Sequence, residues 1–245
     1  GRKQLVSTPR RAKKSAGQHW LVDPRVVDAT VRRAAGVRAG DTVLEIGPGK
    51  GALTKRLLEA GAHVLAVEKD ERLAGMLEEF AASEAAQELK GTLVIKTADV
   101  LGLDLEAEVA RHRRALGLSP GTERGTSGEE TEGGRSLLVS NLPYNVTTSV
   151  MRQVMPLWHV FESVTLMLQE EAAERFAEID PGHPSYREAT VWYRYYAEGE
   201  IAFYVSRKAF APPPNVESAV LVSRLRRPEE RVALPGSPRE FHAFV

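Results

Sequence analysis

The segment SNLPYNV, Ser140 to Val146, places an amide, a rigid backbone carbonyl and an aromatic ring within four residues, directly after an apolar run. An adenine or cytosine amino group is a poor nucleophile because its lone pair is delocalised into the ring. The side-chain oxygen of Asn141 and the carbonyl of Pro143 could accept its two N–H bonds, while Tyr144 stacks on the base. By itself the segment is equally well an ordinary strand-to-helix turn, since the same residue types form such turns. Together with a methyl-donor site in the same sheet, it indicates methylation of a base amine.

A second candidate site is the glycine-rich turn in VLEIGPGKGALTKRLL. Gly47, Gly49 and Gly51 allow positive φ angles and a close approach of the backbone to a ligand. The spacing is G-x-G-x-G rather than the G-x-G-x-x-G of dinucleotide sites, and Glu45 stands two residues before the first glycine. A carboxylate disfavours a pyrophosphate but suits a ligand with positive charge. The turn therefore favours S-adenosylmethionine over NAD.

Two further acids follow the next two apolar runs along the chain. Glu68 ends HVLAVE, where it could accept hydrogen bonds from both ribose hydroxyls, and Asp99 ends LVIKTAD, where it could accept one from an adenine amine. A single acid after a strand is usually a helix cap or a solvated charge. Three acids at three successive strand ends, beside a glycine turn, predict a nucleoside cofactor.

Alternating strands and helices are expected to position these residues. The runs TVLEIG, HVLAVE, LVIKTAD and SLLVSN read as strands, and ALTKRLLEAG and ERLAGMLEEFAAS read as helices between them. Such alternation predicts an α/β fold with a parallel sheet and ligands at the carboxyl ends of its strands. Downstream, TTSVMRQVM is predicted as a helix capped by Thr147 or Thr148, and QEEAAERFAE and ATVWYRYYAE as further helices. SVTLML is predicted as a strand, and IAFYV and SAVLVSRL as an antiparallel pair.

Composition excludes several classes of protein. The chain has 245 residues, no cysteine and a net charge of zero, which excludes disulfide frameworks and thiolate chemistry and argues against binding nucleic acid by bulk charge. Six scattered histidines predict no metal site, and no apolar run approaches the roughly 20 residues of a membrane helix. We therefore expect an ordinary globular domain without metal or membrane association.

Charge and composition divide the chain into segments. Residues 1–14 form a basic arm, with six Lys and Arg and no acid, which is either a solvated tail, a phosphate contact or the remnant of an organelle-targeting sequence. Residues 106–135 are rich in Gly, Glu, Ser and Thr and are predicted to be a flexible insertion. Residues 228–245 are proline-rich and charged and end in what reads as a helix start.

Several motifs together resemble one family. GQHWL, EIGPGKGALT, VEKD, the AD at 98–99, NLPYN, LMLQEEAAER and FAPPPNVESAV resemble, in this order from about Lys14 to Leu225, the ribosomal-RNA adenine dimethyltransferases. These S-adenosylmethionine enzymes dimethylate two adjacent adenines in a small-subunit rRNA hairpin. The resemblance implies a Rossmann-like methyltransferase fold over 15–227, with a mostly parallel seven-stranded sheet and helices on both faces. The segment 228–245 would begin a truncated C-terminal helical domain.

The resemblance also implies roles for individual residues. Cofactor contacts would come from His19 and Leu21 in the leading segment, together with Gly47, Glu68, Asp99 and Asn141. Phe210 would be a second aromatic wall of the base pocket; otherwise it is a core residue at a strand end. The motif GQHWL departs from the family pattern, because His19 and Trp20 stand where Asn and Phe are usual, which puts the contact from His19 in question.

The resemblance further implies a partner and a compartment. The partner would be small-subunit rRNA or the pre-ribosomal small subunit, bound by a monomer, and SYREATVWYRYYAEGE is most similar to plastid members, which favours the chloroplast over a mitochondrion or a bacterial cytoplasm. Alternatives are methylation of large-subunit rRNA and a non-catalytic assembly or transcription factor. The intact NLPY favours an enzyme. Phosphate contacts are predicted from the basic arm and from Arg207, Lys208, Arg224, Arg226 and Arg227.

Overall fold

A computed structural model describes residues 19–119 and 134–233. The strands are β1 Trp20–Leu21, β2 Thr42–Ile46, β3 His63–Glu68, β4 Thr92–Thr97, β5 Ser136–Asn141, β6 Ser163–Gln169, β7 Ala197–Val205, β8 Phe210–Ala211 and β9 Ser218–Leu225. The helices are α1 Pro24–Asp28, which continues as a π-helical stretch Ala29–Ala34, α2 Ala52–Glu59, α3 Glu71–Ala81, α4 Glu84–Gln87, α5 Leu105–Ala115, α6 Thr147–Val154, α7 Glu170–Ala177 and α8 Glu188–Tyr196.

Seven strands form one sheet in the order β4-β3-β2-β5-β6-β9-β7. The first five of these run parallel to one another, and β9 runs antiparallel to them. The edge strand β7 pairs antiparallel with β9 and therefore runs in the direction of the first five. The parallel strands are predominantly buried because helices cover both faces, which explains their nearly continuous apolar runs. This architecture confirms the predicted α/β fold with a mostly parallel seven-stranded sheet.

Alternate residues along the central strands face two separate cores. Leu44 and Leu138 belong to the core under α5 to α8, whereas Val43 and Val139 belong to the core under α1 and α2. Successive side chains of a strand point to opposite faces, so a parallel strand with apolar residues at every position fills both layers. The strand ends are left as the places where polar side chains can gather.

One predicted boundary is wrong. The flexible insertion was expected to begin at residue 106, but Leu105–Ala115 is a helix whose N-cap Asp104 accepts a hydrogen bond from the N–H of Ala107 at 3.0 Å. Leu105 and Val109 on this helix are buried in the core, which the glutamates and arginines between them obscured in the sequence. Residues 120–133 of the predicted insertion lie outside the described residues, as do the basic arm and everything beyond residue 233.

The predicted threonine cap of α6 is also wrong. Thr147 is already the first residue of the helix and the N-cap position belongs to Val146, which has no side-chain acceptor. A 3₁₀ turn over Tyr144–Val146 runs directly into the helix, and the N–H of Val146 bonds the carbonyl of Pro143 at 3.1 Å. The turn therefore takes the place of a side-chain cap.

Arg113 organises the amino ends of two central strands. Its side chain is buried and donates to Thr42 Oγ1 at 3.2 Å and to Ser136 Oγ at 3.1 Å. The same guanidinium donates to the carbonyls of Ser119 at 2.5 Å and Gly134 at 3.3 Å. It therefore holds the two chain positions that flank residues 120–133.

Within the described ranges, no helix is long and apolar enough to cross a membrane. In the same part of the chain, no group of three histidines and acids is placed to hold a metal ion.

Candidate active site

A cavity of about 620 Å³ opens at the carboxyl ends of β2, β3 and β5. This volume is within the usual range for a site that binds a small molecule. Nine of the predicted site residues line it: His19, Leu21, Glu45, Gly47, Gly49, Glu68, Asn141, Pro143 and Phe210. The structure thus brings together residues from the leading segment, the glycine turn, the SNLPYN segment and the FAPPPN segment.

The glycine turn adopts a backbone that requires glycine. The φ angles of Gly47, Gly49 and Gly51 are +65°, +59° and +78°. A Cβ on Gly49 would lie 2.4 Å from Cζ3 of Trp20, and a Cβ on Gly47 would lie 3.4 Å from Cδ of Pro143. The turn is therefore in contact with two other predicted motifs. Gly51 does not line the cavity; it is the N-cap residue of α2.

Glu45 is a buried carboxyl group on the cavity wall, only 2% exposed. Its Oε2 accepts a hydrogen bond from Thr54 Oγ1 at 2.7 Å. Burial raises the pKa of Glu45 to about 8, and the nearby charge of Glu68 adds to the shift. At neutral pH the group is therefore mainly protonated, and a cation in the cavity would favour its ionised form.

Glu68 lies on the same cavity and is also buried. Its Oε2 accepts the N–H of Gly49 at 3.1 Å and its Oε1 accepts the N–H of Asp70 at 2.9 Å. These two bonds fix the carboxylate against the glycine turn. Each oxygen keeps a free lone pair, so the group can also accept from ligand hydroxyls.

Asp99 lies beside the cavity rather than on its wall. Its neighbour Ala98 donates its N–H to the carbonyl of Glu68 at 2.9 Å, so the segment after β4 emerges next to the end of β3. Asp99 Oδ1 accepts the N–H of Leu101 at 3.1 Å, and Oδ2 pairs with Lys69 Nζ at 2.5 Å, which lowers the pKa of Asp99. The carboxylate therefore caps a turn, and its contact with an adenine stays a prediction.

The SNLPYN segment is attached to both neighbouring strands. Ser140 Oγ donates to the carbonyl of Ile46, and the N–H of Leu142 donates to the carbonyl of Met167 at 3.3 Å. Asn141 and Pro143 line the cavity, and the Pro143 carbonyl uses one lone pair for the N–H of Val146. The other lone pair is available to a substrate amine. The side chain of Tyr144 lies outside the described part of the structure.

A two-stranded ribbon joins the leading segment to the FAPPPN segment. Trp20 pairs with Ala211 and Leu21 with Phe210, and His19 Nδ1 lies 2.7 Å from the carbonyl oxygen of Pro212. Phe210 is 3% exposed and lines the cavity, so it is at once a core residue and a wall of the site. The ribbon brings residues about 190 positions apart to the same rim.

Among the residues of the site that sequence reasoning missed, Trp20, Lys50 and Thr54 make specific contacts. Trp20 covers Gly49, and Lys50 Nζ lies 5.2 Å from the centroid of the Trp20 ring, a cation–π contact. Thr54 holds the carboxyl group of Glu45. The spacing of Thr54, three residues after Gly51 on the first turn of a helix, was the one available signal.

Four of the predicted phosphate contacts are paired with acids, including Arg227, whose Nη1 lies 4.0 Å from Glu229 Oε1. Arg224 and Arg226 each pair with Glu198 at 2.8 Å, and Arg224 also pairs with Glu230 at 2.8 Å. Arg207 donates its backbone N–H to Glu217 Oε2 at 2.6 Å, and its guanidinium lies 3.9 Å from the same carboxylate. Exposed pairs of this kind exchange readily, so their phosphate contacts stay predictions.

The residues around the cavity fit S-adenosylmethionine. Two buried carboxyl groups suit a ligand with a positive sulfur and an ammonium group, and the glycine turn offers backbone where a Cβ would clash. Leu53 and Leu73 supply apolar wall beside Phe210. Glu45 and Glu68 would hold the charged and hydroxyl-bearing parts of the cofactor.

Residues 10–236 match the profile of the family described as "Ribosomal RNA adenine dimethylase". The chain belongs to this family. The match extends over both the glycine turn and NLPYN, and it confirms the family that the motifs indicated. As a member, the chain has the fold of S-adenosylmethionine-dependent methyltransferases and is an rRNA adenine methyltransferase by family.

Curated relatives carry a more specific description. The "Ribosomal RNA small subunit methyltransferase A" of Protochlamydia amoebophila is 34% identical over 220 residues, which cover 90% of this chain and 69% of the relative. The chloroplastic "Ribosomal RNA small subunit methyltransferase" of Arabidopsis thaliana is 36% identical over 229 residues, which cover 93% of this chain and 62% of the relative. This member of the dimethylase family thus spans about two thirds of the length of these relatives.

Solved structures share the fold at low identity. A dimethyladenosine transferase from Plasmodium falciparum superposes with a TM-score of 0.64 at 22% identity, covering 85% of this chain and 64% of that one. The 23S rRNA methyltransferase ErmE superposes with a TM-score of 0.62, also at 22% identity, covering 92% of this chain and 75% of that one. The fold alone therefore does not separate a dimethyladenosine transferase from a 23S rRNA methyltransferase.

Proposed function

We propose that this chain transfers methyl groups from S-adenosylmethionine to the exocyclic amines of two adjacent adenines in a small-subunit rRNA hairpin during ribosome assembly. The observation that carries the proposal is the contact between the glycine turn and the NLPY segment, where a Cβ on Gly47 would lie 3.4 Å from Pro143 Cδ. Two sites with separate chemistry thus share one cavity. The printed names of the curated relatives support the small-subunit substrate.

Each residue has a defined role in this proposal. S-adenosylmethionine, when bound, supplies an electrophilic methyl group. Asn141 Oδ1 and the free lone pair of the Pro143 carbonyl accept the N–H bonds of the adenine amine and aim its nitrogen. Phe210 and Tyr144 enclose a base that has left its stack. Glu68 accepts the ribose hydroxyls, and Asp99 accepts the amine of the cofactor's adenine.

The cofactor side has further members. His19 and Leu21 close the cavity from the leading segment, and the backbone at Gly47 and Gly49 approaches the cofactor, with Gly51 starting the helix behind it. Because substrates of this kind must be held in line with the methyl donor, positioning supplies most of the rate enhancement. We place the chain in an organelle, with the chloroplast favoured because of the chloroplastic relative; the bacterial relatives keep a bacterial cytoplasm as the alternative.

The test is methylation of ribosomal subunits by the purified chain. The chain is incubated with S-adenosylmethionine and unmodified small subunits, large subunits in parallel, and methylated adenines are mapped by mass spectrometry of rRNA fragments. Dimethyladenines at two adjacent positions of one small-subunit hairpin support the proposal. Methylation only of the large subunit, or cofactor binding without any transfer, would replace it by the large-subunit enzyme or by the non-catalytic factor, respectively.

Asn141→Ala provides the matched control for this experiment. We expect the variant to abolish methyl transfer, because one acceptor of the adenine amine is lost. The dissociation constant for S-adenosylmethionine should stay within about threefold, because the other cofactor contacts of the cavity are unchanged. Calorimetric titration measures the second quantity. Transfer that persists in the variant would remove Asn141 from the reaction.

A further inference from the structure

Gln153 on α6 donates hydrogen bonds to the turn that connects β4 to α5. Its Nε2 donates to the carbonyl of Val100 at 3.2 Å and to the carbonyl of Leu103 at 2.7 Å. Its Oε1 is buried and has no hydrogen-bond partner within the described part of the chain. The side chain therefore makes contacts to one segment only, and those contacts are made by its amide nitrogen.

The turn that Gln153 binds is the one that carries Asp99. Val100–Gly102 is a single 3₁₀ turn, closed by the N–H of Gly102 on the carbonyl of Asp99 at 3.0 Å and by the N–H of Leu103 on that of Val100 at 3.2 Å. Asp99 caps it through its Oδ1. Val100 is 7% exposed. Any movement of this turn would move the carboxylate of Asp99.

The sheet holds this turn from one side only. It follows β4, which is the edge strand of the sheet and pairs only with β3. Val94 on this strand is 47% exposed, so the strand has little cover of its own. The ion pair of Asp99 with Lys69 gives one further attachment, and the amide of Gln153 on α6 gives another.

Helix α6, which carries Gln153, follows the NLPY segment. α6 begins directly after the Tyr144–Val146 turn, and Val150, Met151 and Val154 fix its inner face in the core, each fully buried. Gln153 thus joins the turn after β4 to the helix that leaves NLPY. The two segments have no strand pairing with each other, since β3 and β2 lie between β4 and β5.

We infer that Gln153 is a positioning residue for cofactor binding. It fixes the Asp99 turn at a set distance from the NLPY segment. This inference rests on the proposed function, in which Asp99 binds the cofactor. A purely stabilising role explains the geometry less well, because the unpartnered Oε1 is unfavourable in the folded state. An apolar side chain of the same shape would avoid that cost but would lose the two hydrogen bonds to the carbonyls of Val100 and Leu103.

Gln153→Met tests the inference, because methionine has nearly the same shape and donates no hydrogen bond. We expect the dissociation constant for S-adenosylmethionine, measured by calorimetry, to rise about 5- to 20-fold, with the midpoint of thermal unfolding within about 3 °C of the wild type. In methyl transfer, KM for the cofactor should rise while KM for the rRNA stays within twofold. Ser149→Ala, an exposed position on the same helix, is the matched control and should change neither.

A double-mutant cycle with Asp99→Ala shows whether Gln153 acts through the turn. If it does, Gln153→Met should weaken cofactor binding by less than twofold in the Asp99→Ala background. Additive effects, or an unchanged dissociation constant in the single variant, would overturn the inference. Should the methionine variant fail to fold, Gln153→Asn, whose amide cannot reach both carbonyls, replaces it. Cofactor binding is read without RNA, so a chain that binds the cofactor but methylates no rRNA contradicts the proposed function and leaves this inference standing.

Discussion

Glu45 keeps a carboxyl group out of water beside a second buried acid, Glu68. The pKa of Glu45 in the folded, ligand-free chain is about 8, above its ordinary value of 4.5, so the folded chain binds more protons than the unfolded chain between these limits. The free energy of unfolding must therefore fall as pH rises through this window. The loss is on the order of a few kcal/mol.

Glu45→Gln should remove this pH dependence. Denaturant unfolding of the ligand-free chain at pH 5, 6.5 and 8 measures it: the wild type should lose stability relative to the variant as pH rises, with most of the loss complete by pH 8. Parallel curves for the two proteins would show that Glu45 titrates normally.

Ionisation of Glu45 couples cofactor binding to the release of protons. A cation in the cavity favours the ionised carboxyl group, so S-adenosylmethionine should release part of a proton on binding at pH 7, and the variant should not. Titration calorimetry in two buffers of different ionisation enthalpy measures the number released. The other titratable groups on the cavity wall, His19, Lys50 and Glu68, are common to both proteins.

At the scale of elements, the β1–β8 ribbon decides how the cavity is closed. The Trp20 ring covers Gly49 and makes a cation–π contact with Lys50. Trp20→Ala should therefore open the site to water and weaken S-adenosylmethionine binding about tenfold, whereas Trp20→Phe should weaken it less than threefold. Val22→Ala is the matched control, since this side chain is 54% exposed and does not line the cavity. Equal affinities for Trp20→Ala and the wild type would exclude a covering role for the ring.

Local patterns predicted most of the elements. The strands ending at Ile46, Glu68 and Asn141 were identified from their apolar runs, and the rule that ligands gather at carboxyl ends of parallel strands brought Glu45, Glu68 and Asn141 to one cavity. The ribbon could not be found this way, because it pairs two residues with two others about 190 positions distant. Only the resemblance pointed to His19 and Phe210.

The error at α5 has a physical cause in the sequence. α5 was hidden because its exposed face carries charges at helical spacing and only a few apolar positions, so its composition resembled the insertion that follows. The contact of Asp99 with an adenine stays a prediction, because the strand-end rule gives the end of a strand but not the direction of a side chain. The structure shows that this carboxylate caps its own turn and pairs with Lys69.

For the whole molecule, zero net charge means that attraction to RNA must come from local groups. The strongest local excess is the basic arm, with six cations within residues 1–14, while Arg224 and Arg226 are paired with acids. Deleting the arm should therefore weaken RNA binding most at low salt and reduce the slope of log K against log salt by up to about 4.

A charge-neutral arm, with its six Lys and Arg changed to Gln, should behave like the deletion. Binding of a small-subunit rRNA fragment at several salt concentrations measures both proteins. Equal slopes for the wild type and the deletion would leave the arm as a solvated tail or a targeting remnant.

The hydrogen bonds from Arg113 to the carbonyls of Ser119 and Gly134 allow the residues between these two positions to be replaced. Because one side chain fixes both ends, the length between them can change at the small cost of loop closure, about 1 kcal/mol for a threefold change. A short Gly-Ser linker in place of residues 120–133, or a fluorescent domain inserted there, should leave cofactor affinity within twofold, as calorimetry can check. These ends lie at the amino ends of the strands, roughly 15–20 Å from the cavity. The molecule thus offers, at this end of the sheet, an attachment point for a reporter that leaves the cavity and its side chains untouched.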